Sequence, residues 1–293
     1  MNYPNFPNGL ETFFDQFDKS MPYASKSTRH VYSCGLSMLA RYIEKSGFTF
    51  RPLDFYSFTG WLSNEMKLSQ NTINAYLTAV RRFCEFLLER GVLEENNAWV
   101  VHGRAGRYDA GMQFSIDDLE AALNSIDDQT LAGRRDRAFL LAMFDAGMGI
   151  SELLMANAGD VRNTNGSIVI TVKERHSEKP YVTVTLPHRS GAAMIDYLSV
   201  RNMAGSDGPL FVKIQNGEYT KNRLSARGAR EAMRKYLIRN GKTIRLNELR
   251  KYFALRLLLQ GEEVDTVRKR LRLRSNTLLL RLLKQNKQLA FEK

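Results

Sequence analysis

The chain has 293 residues, which is enough for two domains that each bury a core of their own. Its 43 Lys and Arg outnumber its 31 Asp and Glu, for a net charge of +12, and residues 221–293 alone hold 21 basic and 6 acidic residues. That asymmetry predicts a polyanionic partner. The sequence has no run of about 18 apolar residues and no basic-then-apolar leader, so we expect a soluble, cytoplasmic protein without a membrane segment.

The histidines and cysteines are too scattered for a metal site. The four histidines stand singly, whereas metal ligands cluster at short spacing. Cys34 and Cys84 each lie among apolar neighbours in a stretch of helical periodicity, so both are predicted to be buried thiols. We expect neither a metal nor a cofactor.

The first hundred residues have helical periodicity. It predicts a short helix over residues 11–17, a long amphipathic helix over 25–45 that Ser25 or Ser27 caps, a brief helix over 53–65 and another over 69–90 that Gly91 ends. Together these segments predict an all-helical domain over residues 1–100.

The periodicity stops in a glycine-containing stretch, which predicts a linker at residues 101–112. Ser115 and Asp118 then give a capping-box-like helix start, so we place a second domain at residues 113–293. Alternating β-branched residues over 167–172 and 181–186 predict one hairpin in this domain. Helices are expected from residue 213 to the end.

Several of these segments resemble the tyrosine recombinase, or phage integrase, family. Residues 68–87 are similar to the last long helix of that family's core-binding domain, and residues 135–153 to the helix pair that introduces its first catalytic arginine. Residues 247–254 and Gly261 have the spacing of its His-x-x-Arg segment and of the glycine after it. The resemblance implies a mainly α fold with a small β-hairpin, in which a helical core-binding (SAM-like) domain and a catalytic-like domain form a two-domain clamp on duplex DNA.

In that family, two arginines, a hairpin lysine and two histidine-type residues surround the scissile phosphate, and a tyrosine near the C terminus attacks it. Guanidinium groups suit this task because they stabilise the negative charge that builds on the phosphate oxygens. The tyrosine oxygen supplies a nucleophile that forms a reversible covalent link to DNA. No metal is required for this chemistry.

Most of those positions are changed in this chain. The first arginine, the histidine of His-x-x-Arg, the histidine of a later Gly-His pair and the nucleophile correspond, in that order, to Gly149, Asn247, Leu273 and Leu282. The glycine of the Gly-His pair is replaced by Arg272. The resemblance therefore implies a degenerate active site, and we expect that the chain is not an enzyme.

Two catalytic positions keep their residue type, Arg250 and the hairpin residue Lys173. The last tyrosine of the chain, Tyr252, is two helical positions from Arg250, a rotation of roughly 200°, so the two side chains leave opposite faces of their helix. Tyr252 is therefore predicted to pack inward rather than to replace the nucleophile.

The residues expected to contact DNA lie off the apolar stripe of the helix over 69–90, in the predicted hairpin and in the basic C-terminal region, where a helix is expected to open at residue 221. Amide side chains can read base edges and basic side chains can bind phosphates, although each could also be an ordinary solvated residue. These residues are Asn71, Thr72, Asn74, Arg81, Arg82, Lys173, Lys221, Arg223, Arg227, Arg230 and Arg250.

The pattern predicts a DNA-binding protein that does not cut DNA and that regulates transcription, assists an active recombinase or organises DNA, for instance in a mobile element. One alternative is an active recombinase with an unusual site, in which another protomer donates a tyrosine such as Tyr219 or Tyr236. A third is a protein-interaction module that partners an active recombinase. The leucine-rich tail, residues 278–291, is expected to serve packing or self-association.

Overall fold

The computed structural model describes residues 11–22, 24–104, 115–173, 181–201, 207–239 and 242–290. The chain divides into two compact units, and the division falls after residue 109. Most of the predicted linker, residues 105–112, lies outside the described residues, so its limits stay a prediction. Val101 is 6% exposed and belongs to the core of the first unit.

The described part of the first unit contains four α-helices, whose bounds match the predicted ones to within two residues. They are α1 (Glu11–Lys19), α2 (Lys26–Ser46), α3 (Pro52–Asn64) and α4 (Gln70–Glu89). Serines begin two of them, because the hydroxyls of Ser25 and Ser69 accept the backbone N–H groups of Thr28 and Thr72. A single 3-10 turn, Asn97–Trp99, follows α4.

The core of the first unit is rich in aromatic residues. Phe14 of α1 stacks on Phe83 of α4 with ring centroids 4.8 Å apart, and Phe58 of α3 is fully buried. Burying each such ring stabilises the unit by roughly 1.5–3 kcal/mol. Cys84 is also buried, which raises its pKa to about 12. Cys34 is only half-buried, so the prediction that it is buried was wrong.

The second unit is mainly helical. Its described helices are α5 (Ile116–Asn124), α6 (Leu131–Ala146), α7 (Ile150–Met155), α8 (His188–Val200), α9 (Ala226–Arg234), α10 (Leu246–Leu259), α11 (Val264–Arg270) and α12 (Thr277–Ala290). The predicted capping box at Ser115 and Asp118 is present at the start of α5. Helix α6 is the central element, because nearly all of its residues from 135 onward are buried between α8, α9 and α10.

Small antiparallel sheets complete the second unit. A three-stranded sheet has the order β1 (Val161–Thr164), β2 (Ser167–Lys173), β3 (Tyr181–Thr185), so the predicted hairpin is present and a further strand precedes it. Strands β4 (Val212–Gln215) and β5 (Glu218–Arg223) form a second hairpin, and β6 (Ile238–Arg239) pairs with β7 (Lys242–Thr243). The expectation that helices resume at residue 213 was therefore wrong.

The turns of the β1–β2 and β4–β5 hairpins have the same chemistry. Asn165 and Asn216 have φ of 51°, and Gly166 and Gly217 after them have φ of 80°. Two successive positive φ angles are what a two-residue type I′ hairpin turn requires, and Asn-Gly is its preferred sequence. The Asn-Gly pairs therefore indicate both turns in the sequence. The prediction of a single hairpin did not use this signal.

Helices α10, α11 and α12 share a separate apolar cluster, which includes Phe253, Leu257, Leu271, Leu279 and Leu282. The tail therefore packs on its own chain through α12. No helix in the described ranges is both long enough and apolar enough to span a membrane.

Candidate functional site

The start of α7 places Gly149 beside Arg250. Gly149 is the N-cap of α7, and its backbone N–H donates a hydrogen bond of 2.6 Å to the Glu152 carboxylate three residues later. A Cβ atom at position 149 would lie 2.9 Å from Nη1 of Arg250, which is closer than real Cβ contacts. The glycine therefore leaves room for the Arg250 guanidinium.

Arg250 faces protein groups rather than open solvent. Its guanidinium donates to the backbone carbonyl of Leu271, and its Nη2 lies 3.9 Å from Oε1 of Glu152. Its side chain is 24% exposed. Burial lowers the pKa of Arg250; Glu152 counteracts this shift and Arg272 reinforces it. The retained arginine is thus directed at an internal carboxylate.

The closest ion pair of the site joins Glu152 to Arg272. The Arg272 guanidinium binds both carboxylate oxygens, with Nε at 2.8 Å from Oε1 and Nη2 at 2.6 Å from Oε2. Its remaining donors bind the carbonyls of Arg270 at 2.6 Å and Gly147 at 3.4 Å. The Arg272 side chain is only 6% exposed, so its positive charge is almost fully enclosed.

Glu152 is the centre of this arrangement, which we call the Glu152 cluster: Gly149, Glu152, Arg250 and Arg272. Burial raises the pKa of the Glu152 carboxyl, but the hydrogen bonds and charge of Arg272, the charge of Arg250 and the Gly149 N–H together outweigh it. The pKa therefore lies below its ordinary value of 4.5, and Glu152 is a carboxylate at neutral pH. Sequence reasoning missed Glu152 as a site residue and treated Arg272 only as a lost glycine.

The other degenerate positions do not join the cluster. Asn247 is exposed in the first turn of α10, and Leu273 packs against the apolar cluster of α10 to α12. Leu282, at the position of the nucleophile, is 3% exposed inside that apolar cluster. Tyr252 is 2% exposed in the main core of the unit, as its helical face predicts.

Lys173 is exposed at the end of β2, where its partner across the sheet is Tyr181. The hairpin tip, residues 174–180, lies outside the described residues. No three His, Cys, Asp or Glu side chains in the described part of the chain lie close enough together to hold a metal ion.

The candidate DNA-contacting residues of α4 divide into exposed and engaged side chains. Asn71 is exposed, as is Arg82, which forms a surface ion pair of 2.8 Å with Glu85. Thr72 shares a hydrogen bond of 2.8 Å with the Ser69 hydroxyl at the start of the helix. These side chains lie at the surface, where a ligand can reach them.

Asn74 and Arg81 instead hold the segment that follows α4. Asn74 donates a hydrogen bond of 2.7 Å to the carbonyl of Arg104. Arg81 donates to the carbonyls of Ala98 and Val101, and its guanidinium lies 4.7 Å from the ring centroid of Trp99. Burial lowers the pKa of Arg81. Their contact with DNA stays a prediction, and in the structure both side chains bind backbone carbonyls of their own chain.

The candidate basic residues after position 220 also include both exposed side chains and side chains that bind within the protein. Lys221 and Arg223 lie in β5 and not in a helix, which corrects their predicted placement, and Ser225 caps α9. Arg223 binds the carbonyls of Leu154 and Ala156 at 2.6 and 2.8 Å and so supports the end of α7. The exposed members are Lys221, Arg227 and Arg230.

A model of the phage integrase family matches residues 114–278, which is more than half of the chain. The chain belongs to the phage integrase family. The tyrosine recombinase XerC of Leptospira interrogans serogroup Icterohaemorrhagiae serovar copenhageni is 24% identical to it over 250 residues, covering 83% of this chain and 78% of the relative. The family resemblance seen in the sequence is thus confirmed, while the loss of activity stays a prediction.

Solved structures of a recombinase and an integrase have a similar fold. The XerH site-specific recombinase bound to palindromic difH substrate in a post-cleavage complex has a TM-score of 0.69 and 17% identity, covering 98% of this chain and 84% of that chain. The Tn1549 transposon integrase in complex with a circular intermediate DNA has a TM-score of 0.67 and 15% identity, covering 92% and 93%. The predicted fold class, mainly α with small β elements, is confirmed.

Proposed function

We propose that this phage integrase family member binds duplex DNA without cleaving it and acts as a regulatory, recombination-accessory or DNA-organising factor. The main support for the proposal is the residue that stands at the position of the family's nucleophile. Leu282 has no group that can attack a phosphate, and it is buried in an apolar cluster. Without a nucleophile there is no covalent step.

The arginine positions support the same conclusion. Gly149 offers no side chain to a phosphate, and the absence of one charge-stabilising donor typically raises a barrier by roughly 3–4 kcal/mol. Arg250, which is retained, lies against Glu152 and the Leu271 carbonyl. The site as built does not present two guanidinium groups to a scissile phosphate.

Binding to duplex DNA is supported by charge and by fold. The basic C-terminal region presents Lys221, Arg227 and Arg230 at the surface. The XerH recombinase and the Tn1549 integrase, which share the fold, are both bound to DNA in their structures. Phosphate contacts of this kind make affinity depend steeply on salt. A cytoplasmic location and an origin in a mobile element belong to the same proposal.

The alternative of a tyrosine donated by another protomer finds little support in the two candidates. The Tyr219 hydroxyl donates a hydrogen bond of 2.6 Å to the Leu131 carbonyl, and burial raises its pKa to about 12. Tyr236 is half-buried against the core, with the Lys235 ammonium 4.6 Å from its ring centroid. Each ring is part of the packing of its own chain.

A nicked suicide substrate tests the proposal, because a covalent intermediate accumulates on it when the cleaved end diffuses away. The chain and an active XerC-type recombinase are each incubated with nicked duplexes that carry their bound sites, and adducts are separated on denaturing gels. We expect DNA binding by both proteins and an adduct for the active enzyme alone. An adduct with this chain would refute the proposal.

The DNA sequence that the chain recognises can be identified by selecting the genomic fragments that it retains at two salt concentrations. Retention of one sequence at the higher salt would identify a specific DNA-binding factor. Uniform, salt-labile retention would identify a basic scaffold that depends on a partner for specificity. No retention at either concentration would exclude DNA as the ligand.

A further inference from the structure

We infer that the Glu152 carboxylate is a built-in anion that fills an oxyanion site between Arg250 and Arg272, so that this pocket is closed to DNA phosphate. The inference rests on the proposed function and deepens it, because it states that DNA is bound without a phosphate in the former catalytic pocket.

The donors around Glu152 have the chemistry of a phosphate site. Two guanidinium groups and one backbone N–H converge on the carboxylate: Arg272 with two short contacts, Gly149 N–H at 2.6 Å, and Arg250 at 3.9 Å. Paired donors of a guanidinium match carboxylate and phosphate oxygens equally well. The donors could therefore bind either anion, and in this chain they bind the Glu152 carboxylate.

The site is closed as well as filled. Arg272 directs its donors at Glu152 and at the carbonyls of Arg270 and Gly147, and its side chain is 6% exposed. The Glu152 side chain is 15% exposed. For a phosphate to enter, the carboxylate would have to leave two cations that hold its pKa below the ordinary value.

Arg272 occupies the left-handed position that ends α11, where its own N–H donates to the Lys269 carbonyl and the Leu273 N–H donates to the Arg268 carbonyl. Its φ is +53°, in the left-handed region that favours glycine. An arginine in this conformation is strained, and here its side chain reaches back across the site to α7. The Arg272 guanidinium is thus turned inward, where it holds the Glu152 carboxylate.

The experiment removes the charge of the built-in anion and asks whether inorganic phosphate replaces it. Thermal unfolding of the full chain is measured in sodium phosphate and in sodium chloride of equal ionic strength. We compare the wild type, Glu152→Gln, and Glu152→Gln with Arg250→Ala. Glu248→Gln is the matched control, because Glu248 accepts the Arg245 N–H at 3.0 Å and caps α10 as Glu152 caps α7.

We expect the wild type, Glu248→Gln and the double variant to show the same small rise in Tm from chloride to phosphate, because phosphate stabilises folded proteins in general. Glu152→Gln should have a lower Tm in chloride and recover several degrees in phosphate, and the added Arg250→Ala should abolish that recovery. If the Tm of the wild type rises in phosphate as much as that of Glu152→Gln, and more than that of the double variant, the pocket is already open. If Glu152→Gln folds and its Tm rises no more in phosphate than that of the double variant, there is no oxyanion site.

A measurement on the wild type covers the case in which Glu152→Gln does not fold. The NMR signal of the Arg272 Nε–H is identified by its loss in Arg272→Lys and followed while duplex DNA is added. We expect it to stay fixed while signals of exposed arginines move, and a shift of comparable size would overturn the inference. The phosphate experiment contains no DNA, so a failure of DNA binding would leave its result intact and count only against the proposed function.

Discussion

Arg189, in the first turn of α8, binds both oxygens of the buried Asp145 carboxylate near the end of α6, with Nη2 at 2.6 Å and Nε at 3.1 Å. The same guanidinium also pairs with Glu120 of α5. The hydrogen bonds from Asp145 and Glu120 raise the pKa of Arg189, although partial burial opposes them. One side chain thus ties three helices together.

Arg189→Met should lower the free energy of unfolding by about 2 kcal/mol, because it leaves the Asp145 carboxylate buried without its bidentate partner. Urea denaturation followed by circular dichroism measures the change. Arg82→Met is the control, since the Arg82–Glu85 pair is exposed and should contribute less than about 0.5 kcal/mol. Equal effects of the two substitutions would contradict the assigned role of Arg189.

The Glu152 cluster should make stability depend on pH in the acidic range. The pKa of Glu152 is lower in the folded chain than its ordinary value of 4.5, so the unfolded chain takes up the proton first as the pH falls. Its contribution is therefore complete above about pH 4.5 and is lost as the pH falls through the folded value. The difference in unfolding free energy between wild type and Glu152→Gln should shrink between pH 6 and pH 3. A difference that stayed constant with pH would exclude this titration.

The strained backbone at Arg272 can be separated from its ion pair by comparing two substitutions. Arg272→Gly and Arg272→Ala both remove the pair with Glu152, but only glycine adopts a φ of +53° without strain. Both variants should be less stable than the wild type, with alanine lower than glycine by about 1 kcal/mol. Equal stability in urea denaturation would show that the left-handed conformation costs nothing at this position.

Returning the nucleophile alone should not restore DNA cleavage. Leu282→Tyr adds a larger, polar side chain to a full apolar cluster, which typically costs about 1–3 kcal/mol, and Gly149 still offers no guanidinium. We expect a lower Tm and no adduct on the nicked substrate. Leu280→Tyr, on the same helix but 56% exposed, should leave the Tm unchanged. An adduct with Leu282→Tyr would show that the remaining groups suffice for catalysis.

The helices of the first unit could be predicted because their signals are local. Serines at positions 25 and 69, apolar residues at helical spacing and Gly91 set both ends and the buried faces. The signal for the β4–β5 hairpin is equally local, since Asn216-Gly217 specifies its turn, although helices were predicted in this region.

The site was less predictable because its contacts join distant parts of the chain. Arg272 and Glu152 are 120 residues apart, and no periodicity relates them. Arg81 shows the other limit: helical spacing placed it off the apolar stripe, but whether water, DNA or a backbone carbonyl lies opposite depends on the path of residues 98–101. A sequence pattern gives the face on which a side chain lies, whereas its partner comes from the tertiary fold.

The 2.9 Å between a Cβ at position 149 and Nη1 of Arg250 means that the end of the Arg250 side chain would have to shift to make room for a larger residue at position 149. An arginine introduced at position 149 while Arg250 and Arg272 hold their present places would meet a guanidinium on one side and an occupied carboxylate on the other. Replacement of Arg272 by glycine would remove the guanidinium that binds both oxygens of Glu152. For protein engineers, the route to an active variant therefore has to change the connection between α11 and α12 together with the start of α7.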